Sequence, residues 1–262
     1  MDARHARDRG ESEAMDIQPI IVTAVCFTFF LAGFIKGIVG FGLPTVGIGL
    51  LGLFMTPVEA ALILVVPTLV TNVWQLAAGP NLKPLLRRLG SMLLATAVVT
   101  YATAGLLARD TTGRATTALG AALIVYAVIG LAAVQFSVPR RAEPWLSPIM
   151  GGLTGLVAGA TGVFSIPGIP YMQALGLDKE DLVQALGLSF TVSMVALAAG
   201  LAREGAFHAS VGLVSFIALG PALAGMYLGQ WVRLRVRPAV FQLCFFVALL
   251  ALGAYLALRT LI

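Results

Sequence analysis

Long apolar runs separated by short polar loops dominate the chain from residue 18 onward. A run of about 20 apolar residues is the length that crosses a bilayer as a helix, where each backbone polar group must be satisfied internally. The pattern therefore predicts eight full membrane-spanning helices, at 18–39, 58–79, 89–108, 115–136, 146–163, 182–202, 209–232 and 238–258.

Two further apolar stretches, 44–55 and 167–177, are too short to match these spans. Each opens with proline, contains glycine and follows a glycine-rich segment. Proline removes a backbone donor and glycine tolerates unusual backbone angles, so both interrupt helices. The two stretches are predicted to be half-helices or broken helices that enter the membrane.

The glycine-rich motif occurs twice, as GFIKGIVGFGLP at 33–44 and as GLVAGATGVFSIP at 155–167. Three glycines in each copy match at a constant offset of 122, namely Gly33, Gly37 and Gly40 with Gly155, Gly159 and Gly162. A short apolar stretch, a loop and a full span follow both copies. The alternative is frequent reuse of glycine in membrane helices, which does not account for the matching proline and span order.

Charge distribution predicts how the two copies are oriented. If the short stretches cross the membrane, one side carries Lys83, Arg87, Arg88, Arg140, Arg141, Lys179, Arg233, Arg235 and Arg237, and the other carries Arg109, Arg114 and Arg203. If they return instead, the same residues divide equally. Cytoplasmic loops of membrane proteins carry an excess of Lys and Arg. The rule favours crossing, which gives five crossings per copy and inverts the second.

The predicted fold is therefore an all-α polytopic membrane protein of two inverted repeats, each with four full spans plus a short broken helix. The predicted organisation is a flexible polar N-terminal tail at 1–16, a first transmembrane repeat at 17–136, a cytoplasmic linker at 137–145 and a second repeat at 146–262.

Composition agrees with a chain solvated mainly by lipid. Of its 262 residues, 59% are hydrophobic and 11% charged, against about 25% charged in soluble domains. The net charge of +5 resides largely in short loops, which is typical of membrane topology rather than of nucleic-acid binding. Cys26 and Cys244 lie in apolar runs, and neither cysteine nor histidine spacing indicates a metal site, so no cofactor is expected.

The broken helices are the predicted functional site. A helix that starts inside the membrane presents free N–H groups and the positive end of its dipole, which suit an anion. Pro44 and Pro167 mark where such helices would begin. Gly40, Gly42 and Gly162 precede them and would let the backbone approach a substrate closely.

Lys36 is the strongest single candidate for binding an anion. It lies inside the first span, without an acidic residue three or four positions away. An ionisable residue at membrane depth is costly and by default indicates function. The alternative is that its ammonium extends to the membrane interface. The matching position in the second copy is Ala158, so a site around Lys36 would be asymmetric.

Neutral polar residues beside the breaks complete the predicted substrate site. They are Asn72, Gln75, Ser165, Tyr171 and Gln173. Each could instead form a hydrogen bond between helices. Glu59 and Asp181 occupy equivalent positions at the start of the third segment of each copy, where an acid stabilises a helix N-terminus. Proton coupling through these two residues is the alternative.

The two glycine-rich motifs and the duplicated architecture resemble the sulfite exporter TauE/SafE family of bacterial inner-membrane permeases. The resemblance covers nearly the whole chain after residue 16. It implies a multi-pass protein of the bacterial inner membrane that moves a small anion, such as sulfite, a sulfonate or sulfoacetate, or an organic carboxylate.

These observations predict a secondary transporter that works by alternating access and is not an enzyme. The expected partners are a small anionic substrate, membrane lipid and, for coupling, a proton or another ion. A passive anion channel and a membrane assembly protein are the alternatives. The GxxxG spacings fit either a homodimer face or packing within a monomer.

Overall fold

The computed structural model describes residues 19–132, 137–207, 209–233, 235 and 238–259. The predicted tail at 1–16 lies outside the described residues. The described helices are α1 (Pro19–Val39), α2 (Leu43–Leu51), α3 (Pro57–Ala78), α4 (Leu82–Thr103), α5 (Gly105–Ala108), α6 (Arg114–Leu131), α7 (Glu143–Thr161), α8 (Gly168–Ala174), α9 (Lys179–Arg203), α10 (Ala209–Arg233) and α11 (Pro238–Arg259).

Within the described residues, seven helices are long and apolar enough to cross a membrane, which confirms a polytopic α-helical membrane protein. The predicted span at 146–163 forms α7, which is less apolar because it carries Glu143, Ser147 and two prolines. The predicted start of the third span was wrong. Instead of beginning at residue 89, α4 begins at Leu82, so its first two turns include basic residues that had been assigned to a loop.

Both predicted helix breaks are present. Gly42 precedes α2 with φ 107°, and Gly162 ends α7 with φ 75°, angles that L side chains rarely adopt. Pro44 lies in the first turn of α2, and α8 begins directly after Pro167. Proline is favoured at such positions because the first N–H groups of a helix have no internal partner.

Each copy of the glycine motif packs against a helix from the other half of the chain. A Cβ atom at Gly33 would lie 2.1 Å from the carbonyl oxygen of Ala222 on α10. In the same way, a Cβ atom at Gly155 would lie 2.7 Å from the carbonyl oxygen of Thr96 on α4. The GxxxG motifs therefore serve packing within this chain, where small residues allow two backbones to meet.

The order of these contacts gives helix directions. Gly33 and Gly37 meet Ala222 and Met226 in ascending order, so α1 and α10 run parallel. Contacts of the same kind show that α4 runs parallel to α7, whereas α3 is antiparallel to α9 and α6 is antiparallel to α11. The contacts are Gly151 with Met92 and Gly159 with Thr100 for α4 and α7, Gly79 with Gln184 and Gly187 with Asn72 for α3 and α9, and Gly120 with Ala257 and Gly130 with Phe246 for α6 and α11.

Helix α2 runs back alongside α1. Lys36 contacts Asn72, and Gln75 contacts Gly40, so α1 and α3 run side by side in one direction. The chain must therefore return between them. It does so through α2 and residues 52–56, which run alongside α11. Gly42 lies beside Phe245 near the start of α11, and the guanidinium of Arg259 at its end donates to the Leu53 carbonyl.

Side chains cap the starts of two helices, α3 and α6, by hydrogen bonds to backbone N–H groups. Thr56 and Glu59 form a capping box at the start of α3, which confirms the interpretation of Glu59 as a helix-starting acid. Asp110 accepts backbone N–H bonds at the start of α6. Desolvation raises the pKa of Asp110, but hydrogen bonds from Ala115, Thr112 and Arg114 outweigh it and leave that pKa below its usual value.

Candidate functional site

Lys36 lies in the last turn of α1 and is only 2% exposed. Its Nζ atom donates to Thr71 Oγ1 at 3.1 Å and to Asn72 Oδ1, both on α3. These partners lie six and seven residues before the end of α3, which corresponds to a depth of about 10 Å. The side chain therefore points into the protein, against the alternative that its ammonium extends to the interface.

Both partners of Lys36 are neutral. Among the described residues the ion pairs are Arg88 with Glu143 and Glu204 with Arg109 and Arg203, and none includes Lys36. The Thr71 hydroxyl donates to the Pro67 carbonyl at 2.7 Å, so its oxygen is free to accept from Lys36. The protein therefore holds the amine of Lys36 by hydrogen bonds without a carboxylate in contact.

Gln75 joins α3 to the first helix break. Its Nε2 donates to the backbone carbonyl of Gly40, the residue that follows α1. Gly40 has φ 93°, and a Cβ atom there would lie 3.5 Å from Val183 on α9. Gln75 therefore ties the break of α1 to the C-terminal end of α3, next to the second half of the chain.

A cavity of about 470 Å³ adjoins Lys36. Its charged lining residues are Lys36, Lys179, Arg233 and Glu180, so positive charge exceeds negative. The other lining residues are Gly37, Gly40, Trp74, Gln75, Gly79, Pro80, Val183, Met226 and Gln230. Since the lining includes the ends of α3 and α10 and the start of α9, the cavity opens toward the face where these helices end or begin, which we call the cavity face.

The cavity face is also the more basic face. Its described basic residues are Lys83, Arg87, Arg88, Arg140, Arg141, Lys179, Arg233 and Arg235, whereas Arg109, Arg114, Arg203 and Arg259 lie at the opposite helix ends. An anion approaching the cavity face therefore meets an excess of positive charge.

The residues of the second break lie apart from this cavity. The hydroxyls of Ser165 and Thr45 are hydrogen-bonded, which joins the second break to α2. A Cβ atom at Gly162 would lie 2.2 Å from Ile48 Cδ1, so the backbone is tightly packed there. Pro167 follows a cis peptide bond and directly precedes α8. The backbone N–H groups at this break are satisfied within the protein, since Gly162 donates to the Ala158 carbonyl and Val163 donates to the Thr161 hydroxyl.

The remaining predicted site residues also lie outside the cavity lining. The hydroxyl of Tyr171 bonds that of Ser147 at 2.7 Å, and Gln173 is exposed. Gly42 faces Ile35 and Phe245, and Pro44 is buried. The structure thus places Lys36, Gly40 and Gln75 of the predicted set in the cavity lining, with Asn72 behind Lys36 through their hydrogen bond. It separates these four residues from the rest.

Sequence reasoning missed most of the cavity walls. The sequence did not predict Thr71, the partner of Lys36, or Trp74, Val183, Met226 and Gln230 in the cavity lining. The small-residue spacing of Gly225 and Gly229 on α10 was the available signal. Both glycines pack on α1 between Phe30 and Gly37, and this brings Met226 and Gln230 to the site.

Ala158, the counterpart of Lys36, is 0% exposed in α7. A Cβ atom on its neighbour Gly159 would lie 2.0 Å from Thr103 Oγ1 on α4. Thr100, which meets Gly159 as Met226 meets Gly37, is also 0% exposed. This region of the second half is therefore buried and lacks a cation at the position of Lys36. Within the described residues no group of three or more His, Cys, Asp or Glu could hold a metal ion.

Comparison with known proteins identifies the chain by family. A family model described as Sulfite exporter TauE/SafE matches residues 25–256, which is most of the chain. No curated protein and no solved structure matches it.

Proposed function

Because this chain belongs to the sulfite exporter TauE/SafE family, we propose that it is a secondary transporter of a small anion, either sulfur-containing or a carboxylate. Membership of this family and the seven long apolar helices among the described residues make it a multi-pass membrane protein of a transporter family. We propose the bacterial inner membrane as its location and sulfite, a sulfonate or sulfoacetate as the candidate substrates.

The observation that carries this proposal is the environment of Lys36. An ammonium buried at membrane depth is costly unless an opposite charge accompanies it. Lys36 is 2% exposed, its hydrogen-bond partners among the described residues are neutral, and it borders a cavity with excess positive charge. A small anion in the cavity would supply the missing negative charge.

Helix pairing supports an inverted repeat. Under an exchange of the two halves, the pair α1–α10 corresponds to α7–α4, and both pairs are parallel. The pairs α3–α9 and α6–α11 each join a helix to its own counterpart, and both are antiparallel. Counterparts that run in opposite directions are what an inverted repeat requires. Five passages per half, with α2 and α8 as the short ones, would produce this inversion.

The one-sided cavity supports alternating access. The cavity opens at the cavity face, while Ala158 and Thr100, at the corresponding place in the second half, are 0% exposed. In an inverted repeat, an exchange of conformations between the halves would close the cavity beside Lys36 and open the corresponding region of the second half. The positive-inside rule supports a cytoplasmic location for the cavity face.

The tightly packed pairs indicate which parts move. Helix α1 belongs to the first half and α10 to the second, and their backbones touch at Gly33, Gly37, Gly225 and Gly229, so one repeat cannot rock against the other without separating this pair. We therefore propose that α1–α10 and α4–α7 move as mixed units.

Flux measurements with purified protein in vesicles test the proposal. Radiolabelled sulfite, sulfonates, sulfoacetate and carboxylates would be offered with and without a pH gradient, which also tests a proton as coupling ion. We expect saturable uptake of at least one anion, and a loss of at least tenfold in Lys36→Ala. Lys83→Ala is the matched control, since Lys83 is exposed on the same face outside the cavity lining.

Equal uptake by the Lys36→Ala protein and the unmodified protein would reject the role of Lys36. No uptake of any anion in the panel would reject the transporter proposal. The amount of folded protein in the membrane must be the same for all variants, which is checked by size-exclusion chromatography.

A further inference from the structure

Two amide atoms on α3 are buried without a hydrogen-bond partner, and they flank the Lys36 site. They are Nδ2 of Asn72 and Oε1 of Gln75. Buried polar atoms in native proteins nearly always have a partner, so an exception calls for an explanation. The two residues are three positions apart, which places them one above the other on the same face of a helix.

Chemistry fixes the orientation of both amides. Lys36 Nζ can only donate, so the Asn72 atom facing it must be the oxygen, which leaves the Nδ2 donor free. The Gly40 carbonyl can only accept, so the Gln75 atom facing it must be the nitrogen, which leaves the Oε1 acceptor free. The site therefore offers one unused donor and one unused acceptor beside the buried cation.

An anion that can only accept hydrogen bonds would satisfy Lys36 and Asn72 but not Gln75. We infer that the transported anion also carries a hydrogen-bond donor of its own, a hydroxyl or a protonated acid oxygen, which Gln75 Oε1 accepts. This inference rests on the proposed function. It makes Gln75 the residue that selects hydroxylated or singly protonated anions over acceptor-only anions of the same size.

The expected discrimination follows from the cost of leaving a buried carbonyl unpaired. Sites built to bond a substrate hydroxyl reject analogues that lack it, because their own polar groups then remain unsatisfied. One neutral hydrogen bond corresponds to a preference of roughly tenfold.

Matched pairs of anions test this in the vesicle assay. Isethionate and 1-propanesulfonate differ only by a hydroxyl in place of a methyl group, as do glycolate and propionate. Each would compete for uptake of whichever labelled anion the vesicles accumulate. We expect the hydroxylated member of at least one pair to inhibit about tenfold more strongly than its partner.

Gln75→Met should bring that ratio close to one. The ratio is the readout because loss of the bond to Gly40 affects both members of a pair equally. Gln173→Met is the matched control, since Gln173 is exposed and lies outside the cavity lining, and it should leave the ratio unchanged.

Three outcomes would overturn the inference while leaving the transporter proposal intact. They are equal inhibition within both pairs, no inhibition by either hydroxylated anion, and a ratio that Gln75→Met does not change. The first two use the unmodified protein, so the test does not depend on a variant that folds. Absence of uptake for every labelled anion would instead contradict the proposed function.

Discussion

Lys36 keeps its position through contacts that leave its charge uncancelled. Thr71 and Asn72 accept hydrogen bonds from its Nζ, and neither carries charge. Its place in the last turn of α1 adds a favourable interaction with the negative end of the helix dipole. The site thus orients a cation without removing its attraction for an anion.

Replacing Asn72 by aspartate should therefore inactivate the site with little change in shape. The new carboxylate would touch Lys36 and form a buried ion pair, so an incoming anion would meet no net charge. We expect anion uptake to fall at least tenfold. Asn72→Thr, which removes the amide without adding charge, is the control and should lose less. Equal losses in the two variants would contradict this electrostatic explanation.

Helix α3 contains a proline that another helix compensates. Pro67 has no N–H, so the carbonyl of Ile63, four residues earlier, lacks its usual partner. Ser215 on α10 donates to that carbonyl at 2.8 Å and accepts from the Val66 N–H at 3.2 Å. A side chain from the second half thus completes the backbone of a helix in the first half.

Ser215→Ala should therefore destabilise the protein by about 1–2 kcal/mol, since it leaves a buried carbonyl unpaired. Denaturant unfolding in detergent would measure the loss. Ser193→Ala is the control, because the Ser193 hydroxyl bonds a carbonyl within its own helix, Ser189, which the helix already satisfies. Equal stability of Ser215→Ala and the unmodified protein would show that water or lipid substitutes for the hydroxyl.

The parallel pair α4–α7 offers a second test of element packing. A Cβ atom at Gly151 would lie 2.2 Å from the Met92 carbonyl oxygen, whereas at Gly152 the nearest atom, on Val99, is 3.9 Å away. Gly151→Ala should lower the free energy of unfolding by about 1–3 kcal/mol, because the added methyl group overpacks the contact between the helices. Gly152→Ala is the control and should leave stability unchanged or slightly increased. The unfolding midpoints of the two variants, compared with that of the unmodified protein, check both expectations. Similar midpoints would mean that the helices separate easily.

At the scale of the whole molecule, the orientation in the membrane can be measured directly. Thr111 is exposed at the face opposite the cavity, next to Asp110, which caps α6 and should be left unchanged. Thr111→Cys and Arg235→Cys would each be made in a protein that lacks Cys26 and Cys244. We expect Arg235→Cys to react only with reagent on the cytoplasmic side, and Thr111→Cys only with reagent outside. Labelling of both from one side would reject the inverted arrangement.

Local features of the sequence determined the spans and their breaks. Run length identified the long helices because crossing hydrocarbon requires about 20 apolar residues. Glycine and proline at 40–44 and 162–167 located the breaks, because these residues alter backbone geometry where they stand. The start of α4 was misplaced because charged residues continue a helix beyond the apolar run.

Only the tertiary structure decided which helix faces meet and which polar residues share a site. In lipid every face of a spanning helix is apolar, so periodicity along the chain does not distinguish a packed face from a lipid-facing one. Lys36 could be identified from the sequence because burying a charge in a membrane costs free energy. Its partners Thr71 and Asn72 are 35 and 36 residues away in the sequence, so only the tertiary structure shows the contacts. Met226 and Gln230 reach the cavity only because α1 and α10 pack backbone to backbone.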